Sequence, residues 1–396
     1  MQSSKPTKLP LTQPLILLMA FITGVAVSNL YYIQPIEALV ATTFQVSSGS
    51  VGTVAMLTQV GYALGLLLIV PFGDVMSRYT LIIRMLGLSL LALLAAFWAP
   101  NFGLFAAAGL AIGLTSVVPQ IIIPYAAVLA APQKRGQVLG TILSGLLIGV
   151  LLSRSFSGII SNYLHWRWVY LLATIAIAGL IGLAAFKLPK DPKPINGPSY
   201  WQTLRSLPQL VKSQRLLREA AINGFFMFGT LSLFWSTLVF YMASPAYHLG
   251  SGAVGLLAIL GAAGALAAPI IGRLADQKTP RFIIANGLLM MTVSFILFAL
   301  WGQNIWILML GIILLDVGNQ CGQVANQTRV QALGQAASSR NNTVFMFAYF
   351  IGGACGSFFG TLMWGIGGWP AVCLLALGCQ LSALLIHFVG FRPKSN

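Results

Sequence analysis

Long apolar runs dominate the sequence and leave the chain few ways to fold. A run of roughly 20 apolar residues crosses the hydrocarbon core of a bilayer as an α-helix. The chain has 396 residues, of which 58% are hydrophobic and only 7% are charged. A soluble globular protein carries about 25% charged residues, so a soluble enzyme is excluded, and a disordered chain is excluded for the same reason. The sequence therefore predicts an all-α membrane protein.

Twelve such runs can be counted along the chain, with edges good to a few residues. They lie at about 15–40, 51–72, 80–99, 102–127, 137–160, 168–186, 220–242, 253–272, 282–301, 305–328, 342–364 and 370–391. The first contains Ala26-Val27-Ser28, which faintly resembles a signal-peptide cleavage site. Because the apolar run continues past it and eleven more follow, we interpret the first run as a retained helix.

Positive charge is distributed unevenly between the loops. Lys and Arg total 22 against 6 Asp and Glu, a formal net charge of +16. With twelve spans and cytoplasmic termini, 20 of the 22 basic residues fall on the cytoplasmic side, and the exceptions are Arg154 and Arg167. Cytoplasmic loops of membrane proteins collect Lys and Arg. The excess charge is therefore a topological signal, and no nucleic-acid partner is expected.

A single long polar segment, residues 187–219, divides the chain with seven basic residues and five prolines. We predict five parts, namely a cytoplasmic N-terminus 1–14, a six-helix bundle 15–186, a basic cytoplasmic linker 187–219, a second six-helix bundle 220–391 and a cytoplasmic C-terminus 392–396. A short surface helix is expected within the linker, around Tyr200–Val211.

The two halves carry the same rare residue types at a spacing of 203 residues. The matched pairs are Trp98 and Trp301, Asn101 and Asn304, Gln120 and Gln323, Gly149 and Gly352, and Trp166 and Trp369. Two parallel six-helix repeats around a central substrate site are a known plan of membrane transporters. The spacing therefore predicts two related halves.

Short motifs carry a resemblance to a known family. Residues 73–78 read Gly-Asp-Val-Met-Ser-Arg, and residues 272–276 read Gly-Arg-Leu-Ala-Asp, with Arg281 five residues further on. On these acidic–basic loops the chain resembles the major facilitator superfamily over its whole length. Residues 29–35, Asn-Leu-Tyr-Tyr-Ile-Gln-Pro, and 61–65, Gly-Tyr-Ala-Leu-Gly, look like its bacterial drug and sugar efflux branch.

The resemblance implies two pseudo-symmetric six-helix bundles, the major facilitator fold, and transport by alternating access. It implies a monomer in the bacterial cytoplasmic (inner) membrane that uses a proton gradient, no cofactor and a small drug-like or sugar-like substrate. It also implies that four residues of the acidic–basic loops form a cytoplasmic gate: Asp74, Arg78, Asp276 and Arg281. The alternative for these four is helix capping and positive-inside topology alone.

Ionisable side chains inside a bilayer cost on the order of 3 kcal/mol each on insertion scales. Asp316 lies near the middle of its span, and one helix face carries four polar residues at a helical spacing: Asp316, Gln320, Gln323 and Gln327. We interpret this stripe as lining a cavity, with Asp316 as the proton-coupling residue, because burial disfavours the charged form of a carboxyl group. The alternative is a satisfied polar interface between helices.

Glu37 and Arg154 are two further ionisable residues within predicted spans. Both lie at a similar depth towards the outer face. A Glu37–Arg154 ion pair would explain how each is tolerated, and Glu37 is the second candidate for proton coupling. In the alternative, Glu37 sits among the outer headgroups and Arg154 snorkels to them. If Arg154 instead faces the cavity, it would attract anionic substrates.

Candidates for the substrate cavity are polar or aromatic residues within predicted spans, namely Asn29, Tyr32, Gln120, Arg154, Phe226, Thr230, Tyr241, Asn319, Gln320, Gln323 and Tyr349. Phe226, Thr230 and Tyr241 share one face of the seventh span. This face would bind an apolar or planar ligand, and the alternative is ordinary packing between helices. The His and Cys residues are scattered, so no metal site is expected. Nucleotide-binding and hydrolase motifs are missing from the sequence, so we do not expect an enzyme.

The sequence thus predicts a secondary transporter that couples efflux of a small organic compound to protons. Uptake or uncoupled facilitated diffusion is the alternative within transport. A membrane-embedded enzyme or a receptor is a more remote alternative.

Overall fold

The computed structural model describes residues 12–131, 134–190, 200–261, 263–264, 267, 271, 279–333 and 338–390. All regular elements within these ranges are helical. Nine of the helices found there are long and apolar enough to span a membrane, and the apolar helices Gln13–Ser28 and Ser251–Gly261 are shorter.

The described part of the first half of the chain forms eight helices. They are α1 Gln13–Ser28, α2 Glu37–Phe44, α3 Ser48–Leu68, α4 Arg78–Trp98, α5 Phe102–Thr115, α6 Val118–Leu129, α7 Arg135–Tyr163 and α8 Arg167–Lys187. Short 3₁₀ segments at Gln34–Ile36 and Val70–Asp74 precede α2 and extend α3. The first predicted span therefore consists of α1 and α2. The fourth predicted span consists of α5 and α6, and the first turn of α6 contains Pro119.

The second half begins with α9, Tyr200–Ser213, at the predicted surface helix of the linker. It continues with α10 Arg215–Ala243, α11 Ser251–Leu257, α12 Pro280–Trp301, α13 Ile305–Gln331 and α14 Ser338–Leu385. A 3₁₀ turn at Ala258–Gly261 extends α11, and a π-helical segment at Ile386–Gly390 follows α14. The eighth span is described in part only, from Ser251.

The long helix α14 contains two spans. Its helical path is broken at Gly367 and Gly368, and Gly368 has φ 61° and ψ −152°. That conformation is essentially restricted to glycine. We call residues 338–366 the long arm and residues 369–390 the last span. The chain is thus an all-α membrane protein with twelve spans in two six-helix bundles.

The repeated residues of the two halves make equivalent contacts. The side-chain oxygens of Asn101 and Asn304 accept hydrogen bonds from the first turns of α5 and α13. Gly149 and Gly352 lie against backbone of the first span of their own half, where a Cβ would fall 2.2 Å from Gly24 O and 2.1 Å from Phe225 O. Only glycine permits this approach, so the two positions are close helix contacts.

Arg167 lies on the side of the membrane that is otherwise poor in basic residues, and its contacts explain its presence. Its Nε donates to Phe97 O at 3.0 Å and its Nη2 donates to Ala99 O at 2.6 Å. Carbonyl groups at a helix C-terminus lack partners within the helix. Arg167 therefore caps α4.

The halves meet along α3 with the long arm, α7 with α11, and α2 with α10. Where α7 meets α11, Gly158 lies against Gly255, and the hydroxyl oxygens of Ser161 and Ser251 are 3.2 Å apart. These contacts lie at the ends of the spans that are remote from the linker. We call this end of the bundle the linker-distal end.

Candidate transport site

The first span is broken in the interior of the protein. α1 ends at Ser28 and α2 begins at Glu37, and the residues between them form turns and the 3₁₀ segment. Residues 29–37 are all buried. Non-helical backbone is tolerated at membrane depth only where it is buried in protein or lines a water-filled cavity. Broken spans of this kind typically build the substrate sites of transporters.

Arg154 of α7 reaches into this break. Its Nε donates to Gln34 Oε1 at 2.7 Å. Its guanidinium carbon lies 4.8 Å from the ring centroid of Tyr31 and 4.5 Å from that of Trp235 on α10. The residue is only 5% exposed. The arginine is therefore held between an aromatic ring of each half.

The two terminal amino groups of Arg154 have no hydrogen-bond partner among the described residues. Neither of these two nitrogen atoms is completely buried. The buried guanidinium thus presents its planar donor fork to accessible space, and this fork matches a carboxylate.

Asp316 of α13 lies opposite, in the second half. Two glycines of the eighth span make room for it, because a Cβ on Gly264 would lie 2.9 Å from Asp316 O, and one on Gly261 would lie 3.5 Å from the carboxyl oxygens. The carboxyl group is within electrostatic range of Arg154 and next to the indole of Trp235. Its Oδ2 is buried and has no hydrogen-bond partner within the described part of the chain.

Glu37 does not form the predicted pair with Arg154. Glu37 is 0% exposed, and neither of its carboxyl oxygens has a hydrogen-bond partner among the residues that the structure describes. The prediction is wrong because it assumed a continuous first helix. The break after Ser28 redirects the chain and presents Gln34, three residues earlier, to the guanidinium.

The polar stripe of α13 bonds to the long arm below Asp316. Asn319 Nδ2 donates to Tyr349 OH at 3.1 Å, and Tyr349 OH donates to Gln323 Oε1 at 3.2 Å. Gln327 Nε2 donates to Asn342 Oδ1 at 3.2 Å. These contacts favour the polar-interface interpretation for the lower stripe. The two remaining residues of the stripe are Asp316 and Gln320, and Gln320 is 9% exposed.

A second polar contact joins the halves between α3, α10 and the long arm. Gln59 Nε2 donates to Ser357 Oγ at 2.8 Å, and Ser232 Oγ donates to Gln59 Oε1 at 3.3 Å. One helical turn further, the rings of Tyr62 and Phe350 lie 4.3 Å apart. The cavity candidate Gln120 donates to Tyr62 OH at 3.3 Å, which places it beside this contact.

Two candidates of the first half lie in helix interfaces. Asn29 Nδ2 donates to Ser89 Oγ at 3.3 Å, which joins the first and third spans. The ring of Tyr32 packs on Phe156 of α7, with centroids 5.8 Å apart.

Three candidates of the seventh span also lie in packing contacts. Thr230 accepts a hydrogen bond from Gln380 of the last span, and Tyr241 stacks on Trp369 with centroids 4.0 Å apart. Phe226 packs edge-on against Phe225. The contacts of Thr230 and Tyr241 favour ordinary packing, the alternative for this face, and the assignment of the three residues to the cavity remains a prediction.

Sequence reasoning missed a charged cluster near the linker, which we call the Glu219 cluster. Arg329 Nη2 lies 2.7 Å from Glu219 Oε2. Arg281 Nε and His387 Nδ1 each lie 3.5 Å from Glu219 Oε1. The cluster joins α10, α12, α13 and the last span. Its members are too far apart in sequence to form a recognisable motif.

The predicted gate remains a prediction. The side chain of Asp74 and the whole of Asp276 lie outside the described residues. Arg78 begins α4, and Arg281 belongs to the Glu219 cluster.

The chain matches the family model of the Major Facilitator Superfamily over residues 16–354. It is 36% identical over 384 residues to “Uncharacterized transporter YgaY” of Escherichia coli O157:H7, covering 97% of both chains. It is 24% identical over 332 residues to “Probable sugar efflux transporter” of Helicobacter acinonychis, covering 82% of this chain and 81% of that one. Among solved structures, a bacterial homologue of the human lysosomal transporter Spinster, in an inward-facing and occupied conformation, matches with a TM-score of 0.72 and 13% identity, covering 97% of this chain and 94% of that one.

These similarities extend over nearly the whole chain and agree with the two six-helix bundles described above. The family and the named relatives indicate a transporter of small solutes rather than an enzyme. The chain is a multi-pass membrane transporter and belongs to the Major Facilitator Superfamily.

Proposed function

We propose that the protein is a proton-coupled secondary transporter of a small organic solute, with its site between Arg154 and Asp316. One observation carries the proposal. An arginine of one half and a carboxyl group of the other interact electrostatically at the interface between the halves, and within the described part of the chain each has polar atoms without a hydrogen-bond partner. The interaction between two residues at such an interface depends both on a bound solute and on the relative position of the halves.

The position of the contacts supports alternating access. The pairs Gly158–Gly255 and Ser161–Ser251 close the linker-distal end. Rocking of one bundle against the other around a fixed central site would break these contacts and close the linker end instead. By the positive-inside rule the linker end is cytoplasmic, together with both termini. The described arrangement is then closed towards the outside of a bacterial inner membrane.

Asp316 is the proposed proton carrier. Burial disfavours the charged form of a carboxyl group, whereas a nearby arginine favours it. The balance shifts when the solute or the partner half moves, so the site can take up a proton in one state and release it in the other. Glu37, which is buried and has no ion pair within the described part of the chain, is the second candidate for the same role.

Two directions of transport are candidates. Efflux is supported by the similarity to the probable sugar efflux transporter of Helicobacter acinonychis. Uptake together with a proton is favoured by the electrostatic interaction of Arg154 with Asp316, because protonation of the acid would free the arginine for a solute.

Transport in proteoliposomes tests the proposal. Purified protein is reconstituted, a pH gradient of either sign is imposed, and the flux of labelled organic solutes is measured. We expect at least one solute to move against its own gradient, in a direction set by the sign of the pH gradient. Movement of no solute under either gradient would contradict the proposed function.

A further inference from the structure

We propose that Arg154 binds an anionic group of the solute, and that the transported compounds are organic carboxylates with a flat apolar part. This inference rests on the proposed transport function. It adds the chemical class of the solute and the residue that selects it.

The first argument is the geometry of the guanidinium. The hydrogen bond from Nε to Gln34 fixes the plane of the group, and the two terminal amino groups remain unpartnered within the described chain. An arginine binds a carboxylate through two parallel N–H···O bonds made by one such planar edge. The fork is therefore oriented before the solute arrives, and less conformational entropy is lost on binding.

The second argument is charge balance. A buried charge without a counter-charge is strongly destabilising, and Arg154 is 5% exposed. The titratable groups in its electrostatic range are Asp316, Tyr31 and Tyr349. Tyrosines are neutral near pH 7, so Asp316 supplies the compensating charge when the site is empty. Glu37 is not among these neighbours.

A consequence for coupling follows. An ionised Asp316 competes with a solute carboxylate for the same guanidinium, whereas a protonated Asp316 does not. A proton and an organic anion therefore bind more tightly together than either does alone, and by thermodynamic linkage the effect is reciprocal. A neutral or cationic solute would gain nothing from Arg154.

The third argument is the aromatic surroundings. Tyr31 and Trp235 flank the guanidinium, and Phe228 stacks on Tyr349 with centroids 4.1 Å apart. Aromatic pairs and walls of this kind favour flat apolar groups. The solute that fits both features has a carboxylate attached to a planar ring.

Binding to purified protein tests the inference with three probes of one shape, namely benzoate, benzamide and benzylammonium. Thermal stabilisation is measured as a function of probe concentration at pH 5.5 and pH 8. We expect benzoate to stabilise the wild type, with at least tenfold tighter binding at pH 5.5, and the neutral and cationic probes to bind at least tenfold more weakly than benzoate at pH 5.5. Equal binding of benzamide, or no response to benzoate, would overturn the inference.

The variants identify the residue. Arg154→Gln should lose benzoate binding by tenfold or more, and Arg154→Lys should bind with intermediate affinity because it keeps the charge but not the fork. Arg84→Gln, which removes an exposed arginine of α4, is the matched control and should bind like the wild type. If Arg154→Gln does not fold, Arg154→Lys and the pH dependence of the wild type decide. Wild-type benzoate affinity in either folded Arg154 variant would overturn the assignment.

Failure of this inference and failure of the proposed function are distinguishable. Gradient-driven flux of a neutral or cationic solute that survives Arg154→Gln would leave proton-coupled transport standing and remove the anion site. Arg154-dependent benzoate binding without any flux in proteoliposomes would leave the anion site standing and remove the transport proposal.

Discussion

The Glu219 cluster near the linker and the central site around Asp316 both bury charged groups, but they satisfy them differently. Glu219 is 4% exposed and lies within 3.5 Å of nitrogen atoms of Arg281, Arg329 and His387, all in its own half. Its Oε1 makes no hydrogen bond within the described part of the chain, but basic groups of the same bundle lie within ion-pair distance of it. At the centre, Glu37 and one oxygen of Asp316 have no partner in the described chain, and Arg154 lies across the interface from Asp316.

The difference separates a structural role from a functional one. A buried ion pair whose partners belong to one rigid bundle need not break during rocking, and it holds four spans of that bundle together. A charged group that lacks a full set of partners costs free energy, and a solute, a proton or a change of conformation can recover that free energy. Partial satisfaction across a moving interface is therefore what a transport site requires.

The largest effect on stability is expected at Glu219. Glu219→Gln leaves Arg329 and Arg281 without their buried counter-charge, and removal of one partner of a buried pair costs about 3–5 kcal/mol. Glu37→Gln is the comparison variant, because no ion pair of Glu37 is found within the described part of the chain, and we expect a change of about 1 kcal/mol or less, the net contribution of a single hydrogen bond. Thermal unfolding in detergent measures both. Equal destabilisation by the two substitutions would contradict the distinction between the two regions.

The largest effect on transport is expected at Asp316. Asp316→Asn removes the proposed proton carrier but keeps the size of the side chain, so gradient-driven flux should fall about 100-fold, equivalent to roughly 2.7 kcal/mol. Solute exchange in the absence of a gradient should survive. Flux through proteoliposomes measures both quantities, and gradient-driven flux at the wild-type rate would show that Asp316 is not the coupling residue.

A smaller effect is expected at Gln34. Gln34→Leu removes the acceptor for Arg154 Nε, and a hydrogen bond to a charged group contributes about 1.5–3 kcal/mol. Flux and stability should both decline, whereas Gln137→Leu at an exposed position of α7 should change neither. The pair of variants is compared by thermal unfolding and by initial flux. An unchanged Gln34→Leu protein would mean that the break does not orient the arginine.

The smallest effect is expected from a double-mutant cycle at Glu37 and Arg154. Because the structure does not pair them, their coupling free energy should lie within about 0.5 kcal/mol of zero, as for independent sites. The same cycle at Glu219 and Arg329, which are 2.7 Å apart, should give a clearly larger value. Stability measurements on the two sets of variants decide, and a strong Glu37–Arg154 coupling would contradict the described geometry.

Several residues of the site could be predicted from sequence, and others could not. Asp316 and Arg154 stand out because a charged side chain is rare within an apolar run. Tyr31, Gln34 and Trp235 do not stand out, because polar and aromatic residues are common in such spans. Pro35 was the available signal for the broken first span, but the apolar run around it reads as a continuous helix.

The face of the seventh span shows what helical spacing leaves open. Phe226, Thr230 and Tyr241 follow a helical spacing that indicates a shared face, and the structure places contacts of Thr230 and Tyr241 on the last span. Helical spacing shows which side chains lie together on one helix. It does not show whether that side meets a cavity or a neighbouring helix.

The sequence by itself determined the twelve spans, the division into two halves and the short helix of the linker. These features depend on local composition measured against the thickness of a bilayer, and each span can be recognised without reference to the others. The tertiary structure decided which polar residues share a site. Arg154, Gln34, Trp235 and Asp316 come from four different spans, and their meeting depends on the break in the first span and on close glycine contacts between helices. Such contacts are non-local, so no segment of the sequence encodes them alone.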